Sequence, residues 1–522
     1  MSEFVYENHD SMVWDENLTF AGKPLKQTIE DIKEVYLADK RSWIIGFSGG
    51  KDSTVILSLV YQAILSIPES KRSKPVYVVC SDTLVETPVV VNLIKNVLNA
   101  VDKSAKKNNL PISTQMVVPK QAETFWVNLL GKGYPAPTRS FRWCTERMKI
   151  KPVSEFIEDK VSKFGEVIVV LGSRRAESAS RAQSIEKHSI EGSVLSRHSS
   201  LPNAYTYMPI EDWEADEVWE YLLSAPAPWW MSNQELFDMY KGSNQGECPL
   251  VIDKHTPSCG NSRFGCWTCT VVTEDKALHG LIESGMEWMR PFLDFRNMLY
   301  QTTLPENKKE YRNYRRRSGR IDLMRQKDEK GHLITALNED GSINEEYDPN
   351  YVPGPYWMKY RQQWLRELLE IQKKVDEQGH DHLAITDDEL VQIRREWLMD
   401  PIEPDWSDSL PKIIAELYPE KMNLFPSRDI GAFGETELNV IKQVADEEKI
   451  SPILLKKIID AEVEVSGLGN RRGIRKKIES ILRQDWDELD STMEKAIGYK
   501  REVEVFKDVR TELEKTLQEL TR

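Results

Sequence analysis

Short apolar stretches alternate with longer stretches of helical periodicity from residue 42 to about residue 225 of this 522-residue chain. SWIIGF (42–47), KPVYVVCSDT (74–83), ISTQMVVP (112–119) and EVIVVL (166–171) are runs of strand length. DSTVILSLVYQAIL (52–65) has instead the length and pattern of a buried helix. This alternation predicts an α/β fold with an open, doubly wound parallel sheet. Ligands of such sheets bind beyond the carboxyl ends of the strands, where the polar motifs of this chain stand.

Changes in composition divide the chain, whose length exceeds that of one ordinary domain. The predicted parts are an N-terminal extension (1–29), the α/β domain (30–240), a cysteine- and arginine-rich region (241–330), a linker (331–355), a helical or irregular region (356–435) and a C-terminal helical domain (436–522). The second half is thus expected to be mainly helical.

The overall charge restricts the kinds of partner that the chain can bind. Its formal net charge is −14, whereas a protein that coats nucleic acid is basic. Any contact with nucleic acid must therefore use local basic patches. The acidic, polar start does not resemble a signal peptide, and no apolar run has the length of a membrane span. We therefore expect a cytoplasmic protein with no membrane partner.

A glycine-rich loop lies between the first predicted strand and helix, in IIGFSGGKDSTVILSLV (44–60). A Walker A loop would place glycine where Ile45 stands and serine or threonine where Asp52 stands. The loop is nevertheless suited to phosphate, because its glycines allow backbone N–H groups to approach an anion and a helix follows. The predicted phosphate ligands are Ser48, Gly49, Gly50, Lys51, Asp52 and Ser53. Asp52 would either orient Lys51 or bind Mg²⁺.

Two further motifs follow predicted strands. In CSDTLVETP (80–88), Asp82 and Thr83 fall where a nucleoside lies in a doubly wound sheet. A second interpretation, compatible with the first, is a helix cap at Thr87 with Pro88 in the first turn.

In GSRRAESASRAQ (172–183), Gly172 permits a close backbone approach. Arg174, Arg175 and Arg181 are candidates for binding the phosphates of a substrate. The alternative for each arginine is a solvated basic helix end.

Six cysteines indicate metal or redox chemistry in a chain without a secretion signal. Four thiolates suit either a [4Fe–4S] cluster or zinc, and spacing alone does not choose between them. The zinc alternative would use the local set Cys248, Cys259, Cys266 and Cys269, with His255 as a further ligand. Cys80 lies in an apolar strand and is predicted to be a small core residue.

The order of these motifs resembles a known superfamily. SGGKDS after a strand resembles the PP-loop of the ATP pyrophosphatases, which cleave ATP between the α- and β-phosphates. SDTLVET, CTERMKIKP, GSRRAES and PIEDW follow in the order seen in the PAPS reductase-like branch, over about residues 30–280. The resemblance implies an adenine nucleotide alpha-hydrolase-like fold. It also implies a cluster held by Cys144, Cys259, Cys266 and Cys269.

Within this branch the chain is most similar to DndC-type sulfurtransferases of bacterial DNA phosphorothioation. VVCSDTLVETPVVV, WCTERMKIKP, LGSRRAESASRA, FRNML and YRRRSGRIDLM carry this resemblance. A PAPS or APS reductase would need a cysteine in a C-terminal tail, but the last cysteine here is Cys269. The resemblance implies catalysis by Lys51, Asp52 and Asp82, with ATP and Mg²⁺. It also implies DNA as the substrate, a cysteine desulfurase as sulfur donor, and other phosphorothioation proteins as partners.

Contact with DNA requires positive surface. The candidates are Arg312, Arg315, Arg316, Arg317 and Arg320, and the later stretch NRRGIRKK (470–477). The alternative for each is a solvated helix face. Competing functions are tRNA thiolation, sulfonucleotide reduction, and a cluster- or zinc-bearing nucleic-acid scaffold that only senses ATP.

Overall fold

The computed structural model of the chain describes residues 18–224, 226–243, 265–324, 326–327, 333–334, 350–380, 382–425, 435–465, 473–484, 486 and 489. The chain is divided into two compact units. Unit 1 comprises Met1–Phe125, Pro137–Tyr300 and Lys374–Ala384. Unit 2 comprises Trp126–Ala136, Gln301–Lys373 and Ile385–Arg522. Residues 301–330, which composition groups with the cysteines, thus belong to unit 2.

The described strands are two to six residues long. They are β1 (Thr19–Phe20), β2 (Lys23–Pro24), β3 (Ser42–Gly46), β4 (Val76–Ser81), β5 (Ile112–Val117), β6 (Val167–Val170), β7 (Ser196–Arg197), β8 (Ala204–Tyr207), β9 (Gln326–Lys327) and β10 (Leu333–Ile334). The predicted strands correspond to β3, β4, β5 and β6. Strand β10 lies within the predicted linker, where it pairs antiparallel with β9.

The described α-helices outnumber the strands. They are α1 (Leu25–Leu37), α2 (Lys51–Leu65), α3 (Pro88–Lys107), α4 (Lys151–Phe164), α5 (Ala179–His188), α6 (Ala215–Ser224), α7 (Gln234–Ser243), α8 (Lys276–Glu283), α9 (Arg290–Gln301), α10 (Lys308–Tyr311), α11 (Met358–Glu377), α12 (Asp387–Leu398), α13 (Ser409–Leu417), α14 (Glu435–Glu448), α15 (Pro452–Val465) and α16 (Ile474–Leu482). Two π-helical turns, Val127–Gly131 and Thr145–Ile150, are also present.

Unit 1 is built on a six-stranded sheet in the order β5-β4-β3-β6-β8-β7. Neighbouring strands are parallel except for β7, which runs antiparallel to β8 at one edge. After β5 the chain crosses back to place β6 beside β3, so the direction of strand addition reverses next to β3. The predicted doubly wound α/β fold is confirmed. The ends of β3 and β6 therefore meet at the switch point where such sheets bind ligands.

Helices cover both faces of this sheet. Trp43, Ile45 and Ile168 point into a large core that α1, α2, α3, α6 and α7 complete. Ile44 and Val169 point to the other face, where they pack with Ile157 of α4. All four residues of β6 are buried, which explains the continuous apolar run in its sequence. The alternation of helices and strands predicted this two-sided packing correctly.

Helix α2 is buried on nearly all sides. Among its 15 residues only Asp52, Gln62 and Leu65 are not buried. This burial confirms the prediction from its apolar sequence. The helix that follows the glycine-rich loop is therefore fixed by the core of unit 1.

Unit 2 is mainly helical and holds a buried ion pair. Arg361 of α11 donates to Asp400 over 2.9 Å, and both side chains are almost completely buried. The same guanidinium donates to the carbonyl oxygen of Gly131, which ends a π-helical turn of this unit. Within the region predicted to be helical or irregular, the segment 401–435 is rich in proline, which disfavours a regular helix. It nevertheless contains α13, because Leu410 and Ile414 give this helix a buried face.

Several predictions fall partly or wholly outside the described residues. They concern the extension before residue 18, the segment 244–264, most of the linker and the chain after residue 489. In the part of the chain that is described, no helix is long and apolar enough to cross a membrane.

Candidate nucleotide and cysteine site

The phosphate loop, residues 46–53, connects the end of β3 to the start of α2. Gly49 has a φ of +74°, and a Cβ added there would lie 2.5 Å from Cγ1 of Ile94. Glycine is therefore required by both backbone conformation and space. The loop leads directly into the amino-terminal end of a 15-residue helix, where backbone N–H groups and the helix dipole favour an anion. The loop thus has the strand–loop–helix arrangement that the sequence indicates, and its binding of an anion stays a prediction.

Hydrogen bonds within the loop hold its conformation. The hydroxyl of Ser53 donates to the carbonyl oxygen of Gly50 over 2.9 Å and accepts from the backbone N–H of Ser48 over 3.2 Å. The hydroxyls of Ser48 and Ser53 lie 3.2 Å apart. The two serines thus organise the loop, and their role as phosphate ligands remains a prediction.

Lys51 is positioned by two neighbours. Its side chain is only 11% exposed, and its Nζ lies 3.4 Å from Oδ2 of Asp52. The backbone N–H of Lys51 donates to the hydroxyl of Tyr240 over 3.4 Å, and the ring of Tyr240 lies beneath the ammonium group at 5.6 Å. Tyr240 belongs to α7, and no motif in the sequence indicated its contact with Lys51.

Arg174 contacts Asp52 from the end of the neighbouring strand β6. Its Nε donates to Oδ1 of Asp52 over 2.6 Å, and its Nη1 donates to the carbonyl oxygen of Trp213 over 3.0 Å. The backbone of Gly172 lies so near that an added Cβ would be 2.7 Å from the carbonyl oxygen of Asp52. The predicted close approach at Gly172 is therefore to the phosphate loop itself. The sequence motifs identified Arg174 and Asp52 as candidate site residues, but they did not indicate that the two side chains contact each other.

Arg175 and Arg181 lie nearer the surface. Arg175 pairs with Glu211 over 3.2 Å and with Asp212 over 3.3 Å, while Arg181 lies 3.6 Å from Glu177. Both guanidinium groups are more than two-fifths exposed. Their proposed contact with substrate phosphate remains a prediction.

Asp82 follows β4, one strand away from the phosphate loop. Its Oδ1 accepts from the backbone N–H of Leu84 over 2.8 Å. Burial raises the pKa of the Asp82 carboxyl, and the nearby carboxylate of Glu86 adds to this effect. Thr83 is fully buried, and its hydroxyl donates to Glu86 over 3.0 Å. The carboxyl ends of β3 and β4 thus place Lys51 and Asp82 at the same edge of the sheet.

Thr87 and Pro88 start α3, as the capping interpretation predicts. The hydroxyl of Thr87, however, does not cap the helix. It donates to the carbonyl oxygen of Gly265 over 2.9 Å and so joins the cysteine-bearing segment to the end of β4.

Cys266 packs directly against this strand end. Its Sγ lies 3.3 Å from the hydroxyl of Thr83 and 3.7 Å from Oε1 of Glu86. Burial raises the pKa of the Cys266 thiol, and the Glu86 carboxylate raises it further. Cys144 interacts electrostatically with Cys266 and Cys269, so these three thiols share one region, the cysteine region.

A π-helical turn places this region beside the sheet. The turn, Thr145–Ile150, begins immediately after Cys144, and its Met148 carbonyl oxygen accepts from the Ser81 hydroxyl at the end of β4. Lys149 of the same turn lies 3.0 Å from Glu86. Burial opposes the charged form of Lys149, but the neighbouring Cys266 and Glu86 raise its pKa. Glu86 and Lys149 are site residues that sequence reasoning missed.

The thiols of the cysteine region are the type of ligand that binds an iron–sulfur cluster or zinc. Three of the four predicted cluster ligands lie in it, next to a lysine whose charge can offset that of thiolates. Among the described residues, however, no three or more His, Cys, Asp or Glu side chains are arranged to hold one metal ion. Cys259, the fourth predicted ligand, and Cys248 and His255 of the zinc alternative lie outside the described residues. Cys80 is buried in the core, as predicted.

The arginine segment, residues 311–320, belongs to unit 2 and makes many contacts within it. Arg312 donates to the carbonyl oxygens of Gly354 and Pro353, and Arg316 donates to the latter over 2.9 Å. Burial lowers the pKa of Arg312 to about 10.

The neighbouring arginines also have partners in unit 2. Arg315 donates to the Trp486 carbonyl oxygen over 3.4 Å, and Arg317 donates to that of Lys132 over 2.5 Å. These side chains thus stabilise unit 2. Their contact with DNA remains a prediction that none of these distances tests.

Comparison with known families places the site in a defined domain. Residues 42–272 match the phosphoadenosine phosphosulfate reductase domain family. This range contains the phosphate loop, Asp82, Arg174 and the cysteine region. This match confirms the predicted resemblance of residues 42–272 to PAPS reductase domains.

Individual relatives are more distant. An uncharacterized protein of Methanocaldococcus jannaschii is 29% identical over 213 residues, which cover 41% of this chain and 38% of that protein. The chain thus matches less than two-fifths of the length of this curated relative.

Three solved structures show similarity at low identity. PAPS reductase from Candida auris is 14% identical, with 42% of this chain and 92% of the other covered and a TM-score of 0.26. FMN adenylyltransferase from Candida glabrata is 14% identical, with coverages of 45% and 69% and a TM-score of 0.24. The tRNA thiolase NcsA from Methanococcus maripaludis, solved with its [4Fe–4S] cluster, is 16% identical, with coverages of 44% and 78% and a TM-score of 0.25.

Proposed function

Because residues 42–272 match the PAPS reductase domain family, we propose that the chain is an ATP-dependent sulfurtransferase of DNA phosphorothioation. It would activate a phosphate of the DNA backbone with ATP, release pyrophosphate, and replace a non-bridging oxygen with sulfur. The observation that carries the proposal is the placement of the phosphate loop and the cysteine region at one edge of one sheet.

The geometry of this edge supports two consecutive reactions at adjacent positions. The phosphate loop follows β3, and the Asp82–Thr83 segment follows the neighbouring β4. The Thr83 hydroxyl then contacts the thiol of Cys266 over 3.3 Å. A group activated at the loop would therefore lie close to the thiols, which is what sulfur transfer requires.

The first step would be stabilised by Lys51 and the amino-terminal N–H groups of α2. A non-bridging oxygen of the DNA phosphodiester attacks the α-phosphorus of ATP, and the bond to the β-phosphate oxygen breaks. Negative charge accumulates on the leaving pyrophosphate, and a buried ammonium with fixed N–H donors stabilises it without reorganisation. Mg²⁺ bound to the phosphates would share this charge. Asp82 would contact the nucleotide from the next strand end.

In the second step a sulfide-level sulfur attacks the activated DNA phosphorus, and AMP leaves with the former non-bridging oxygen. We propose that a cysteine desulfurase supplies this sulfur in the cell and that other phosphorothioation proteins assist. An iron–sulfur cluster on Cys144, Cys259, Cys266 and Cys269 would, when bound, offer a site for sulfur next to the activated phosphate. Lys149 and Glu86 would adjust the charge around those thiolates.

The choice of DNA as substrate rests on the motifs that resemble DndC-type proteins and on the arginine segment. Arg320 is exposed, and Arg315, Arg316 and Arg317 are partly exposed beside their contacts in unit 2. Partly exposed guanidinium groups that are already oriented by carbonyl oxygens can bind backbone phosphates at low entropic cost.

The proposal is tested by pyrophosphate release and by mass spectrometry. Purified protein with ATP, Mg²⁺, sulfide and DNA should release pyrophosphate and yield phosphorothioate dinucleotides after DNA digestion. Lys51→Ala should abolish both products. Lys163→Ala, which removes an exposed lysine that pairs with Asp159, is the matched control and should retain them. If the protein releases pyrophosphate and thiolates tRNA but leaves DNA unmodified, the assignment of DNA as substrate is contradicted. If it releases no pyrophosphate with either nucleic acid, the whole proposal is contradicted.

A further inference from the structure

The carboxylate of Asp52 lies between two cations. Its Oδ1 is 2.6 Å from Nε of Arg174, and its Oδ2 is 3.4 Å from Nζ of Lys51. Each oxygen thus faces one positive group. A carboxylate that is shared in this way fixes the direction of both cations.

Arg174 is anchored independently of Asp52. It donates to the Trp213 carbonyl oxygen, and its backbone N–H donates to Oε1 of Glu177 over 2.8 Å. Only 4% of the residue is exposed, so little of its guanidinium is open to a ligand. The sequence suggested a phosphate-binding arginine, but the side chain is oriented towards the loop.

The backbone around this pair is equally constrained. Gly172 packs against the backbone of Asp52 and Ser53, which leaves the strand end no freedom to move towards the loop. The side chain of Asp52 is therefore fixed by contacts that cross from the end of β6 to the start of α2. A carboxylate that already pairs with two protein cations has less unmatched charge to offer to Mg²⁺. The contacts of Asp52 are those of an orienting residue.

We propose that Arg174 is a positioning residue that acts through Asp52 to direct Lys51 at the ATP phosphates. Asp52 is then a link between Arg174 and Lys51, and Mg²⁺ binds elsewhere, through the phosphates. This inference rests on the proposed ATP-binding function of the loop and adds two roles to it.

Equilibrium binding of ATP, measured by calorimetry over a series of Mg²⁺ concentrations, tests the inference without DNA or a sulfur donor. Asp52→Asn and Arg174→Gln should each weaken ATP binding about tenfold, and the double variant should be no weaker than the worse single variant. Arg174→Lys should recover part of the affinity, because an ammonium group can still pair with Asp52. The Mg²⁺ concentration for half-maximal binding should remain that of the wild type in all variants.

The matched control is Arg72→Gln. Arg72 lies in the same unit and donates to the carbonyl oxygens of Leu65, Ile67 and Asn108. Its loss should lower the unfolding temperature and leave the affinity for ATP unchanged. If Arg174 has a purely structural role, Arg174→Gln will likewise lower the unfolding temperature and leave the affinity for ATP unchanged. That result would overturn the inference.

Other outcomes are equally decisive. Additive losses in the double variant, or a shifted Mg²⁺ dependence in Asp52→Asn alone, would show that Asp52 acts without Arg174. If Arg174→Gln does not fold, the Mg²⁺ dependence of Asp52→Asn together with the affinity of Arg174→Lys still decides. Failure of the wild-type protein to bind ATP would refute the proposed function itself, a result distinct from variants that bind as the wild type does.

Discussion

Adding one methyl group at Gly172 should separate the phosphate loop from the neighbouring strand end. A Cβ at this position would lie 2.7 Å from the carbonyl oxygen of Asp52, 2.8 Å from its carbonyl carbon and 3.2 Å from the nitrogen of Ser53. Carbon atoms in favourable contact are ~3.5–4.0 Å apart. The obstructing atoms are backbone atoms of a buried helix, so no side chain can rotate away. One of the two backbones must shift by up to about 1 Å.

The displacement sets the size of two effects. Overpacking of this kind costs ~1–3 kcal/mol of the free energy of unfolding. A shift of about 1 Å in a reacting group can cost roughly 100-fold in rate. We therefore expect Gly172→Ala to lower kcat/KM for ATP-dependent pyrophosphate release by roughly 10- to 100-fold while the protein remains folded.

Pyrophosphate release and thermal unfolding should be measured on the same samples. Gly265→Ala is the matched control for stability, because a Cβ there would meet no heavy atom of the described residues within 4 Å and its φ lies outside the left-handed region. Its unfolding temperature should equal or slightly exceed that of the wild type. Wild-type kcat/KM and an unchanged unfolding temperature in Gly172→Ala would refute the close approach on which the reasoning depends.

Three other predictions concern single groups. Asp82→Asn should stabilise the protein at pH 7, because the pKa of the Asp82 carboxyl is raised in the folded state and the charged form therefore destabilises the fold above the ordinary pKa of 3.8. In urea titrations this stabilisation should disappear as the pH falls and the carboxyl becomes protonated; equal stabilisation at every pH would contradict the prediction. Burial raises the pKa of the Cys80 thiol to about 12, so iodoacetamide should label Cys80 at pH 8 only after denaturation, as mass spectrometry of native and unfolded samples can show. Asp400→Ala should cost ~3–5 kcal/mol in denaturant unfolding, since it removes the buried carboxylate that pairs with the buried Arg361 over 2.9 Å. A loss below ~1 kcal/mol would contradict the importance of this pair.

Local sequence patterns predicted the elements of the site well. The boundaries of α2 and β3, the need for glycine at position 49 and the close approach at Gly172 follow from residue types over a few positions. The burial of Cys80 follows from the apolar strand around it. Each of these depends on neighbours in sequence, and periodicity reports them directly.

The partners of the charged residues could not be predicted in the same way. Arg174 and Asp52 are 122 residues apart, and Glu86 and Cys266 are 180 residues apart. Their contacts arise only because β6 lies next to β3 and because the cysteine segment folds back onto the end of β4. Without the strand order, an arginine in a glycine-rich motif has no identifiable partner. For that reason Arg174 resembles a phosphate ligand in the sequence and is oriented towards a carboxylate in the fold.

The burial of α2 has a consequence for how the chain can move. The helix that carries Lys51 forms part of the core, so its amide protons beyond the first turn should exchange with solvent only when the whole of unit 1 opens. Any rearrangement during a reaction cycle must then occur in the elements that approach the loop, such as α7 with Tyr240 or the strand end with Arg174. Lys51 would keep its position throughout, while the substrate and the elements around the loop move relative to it.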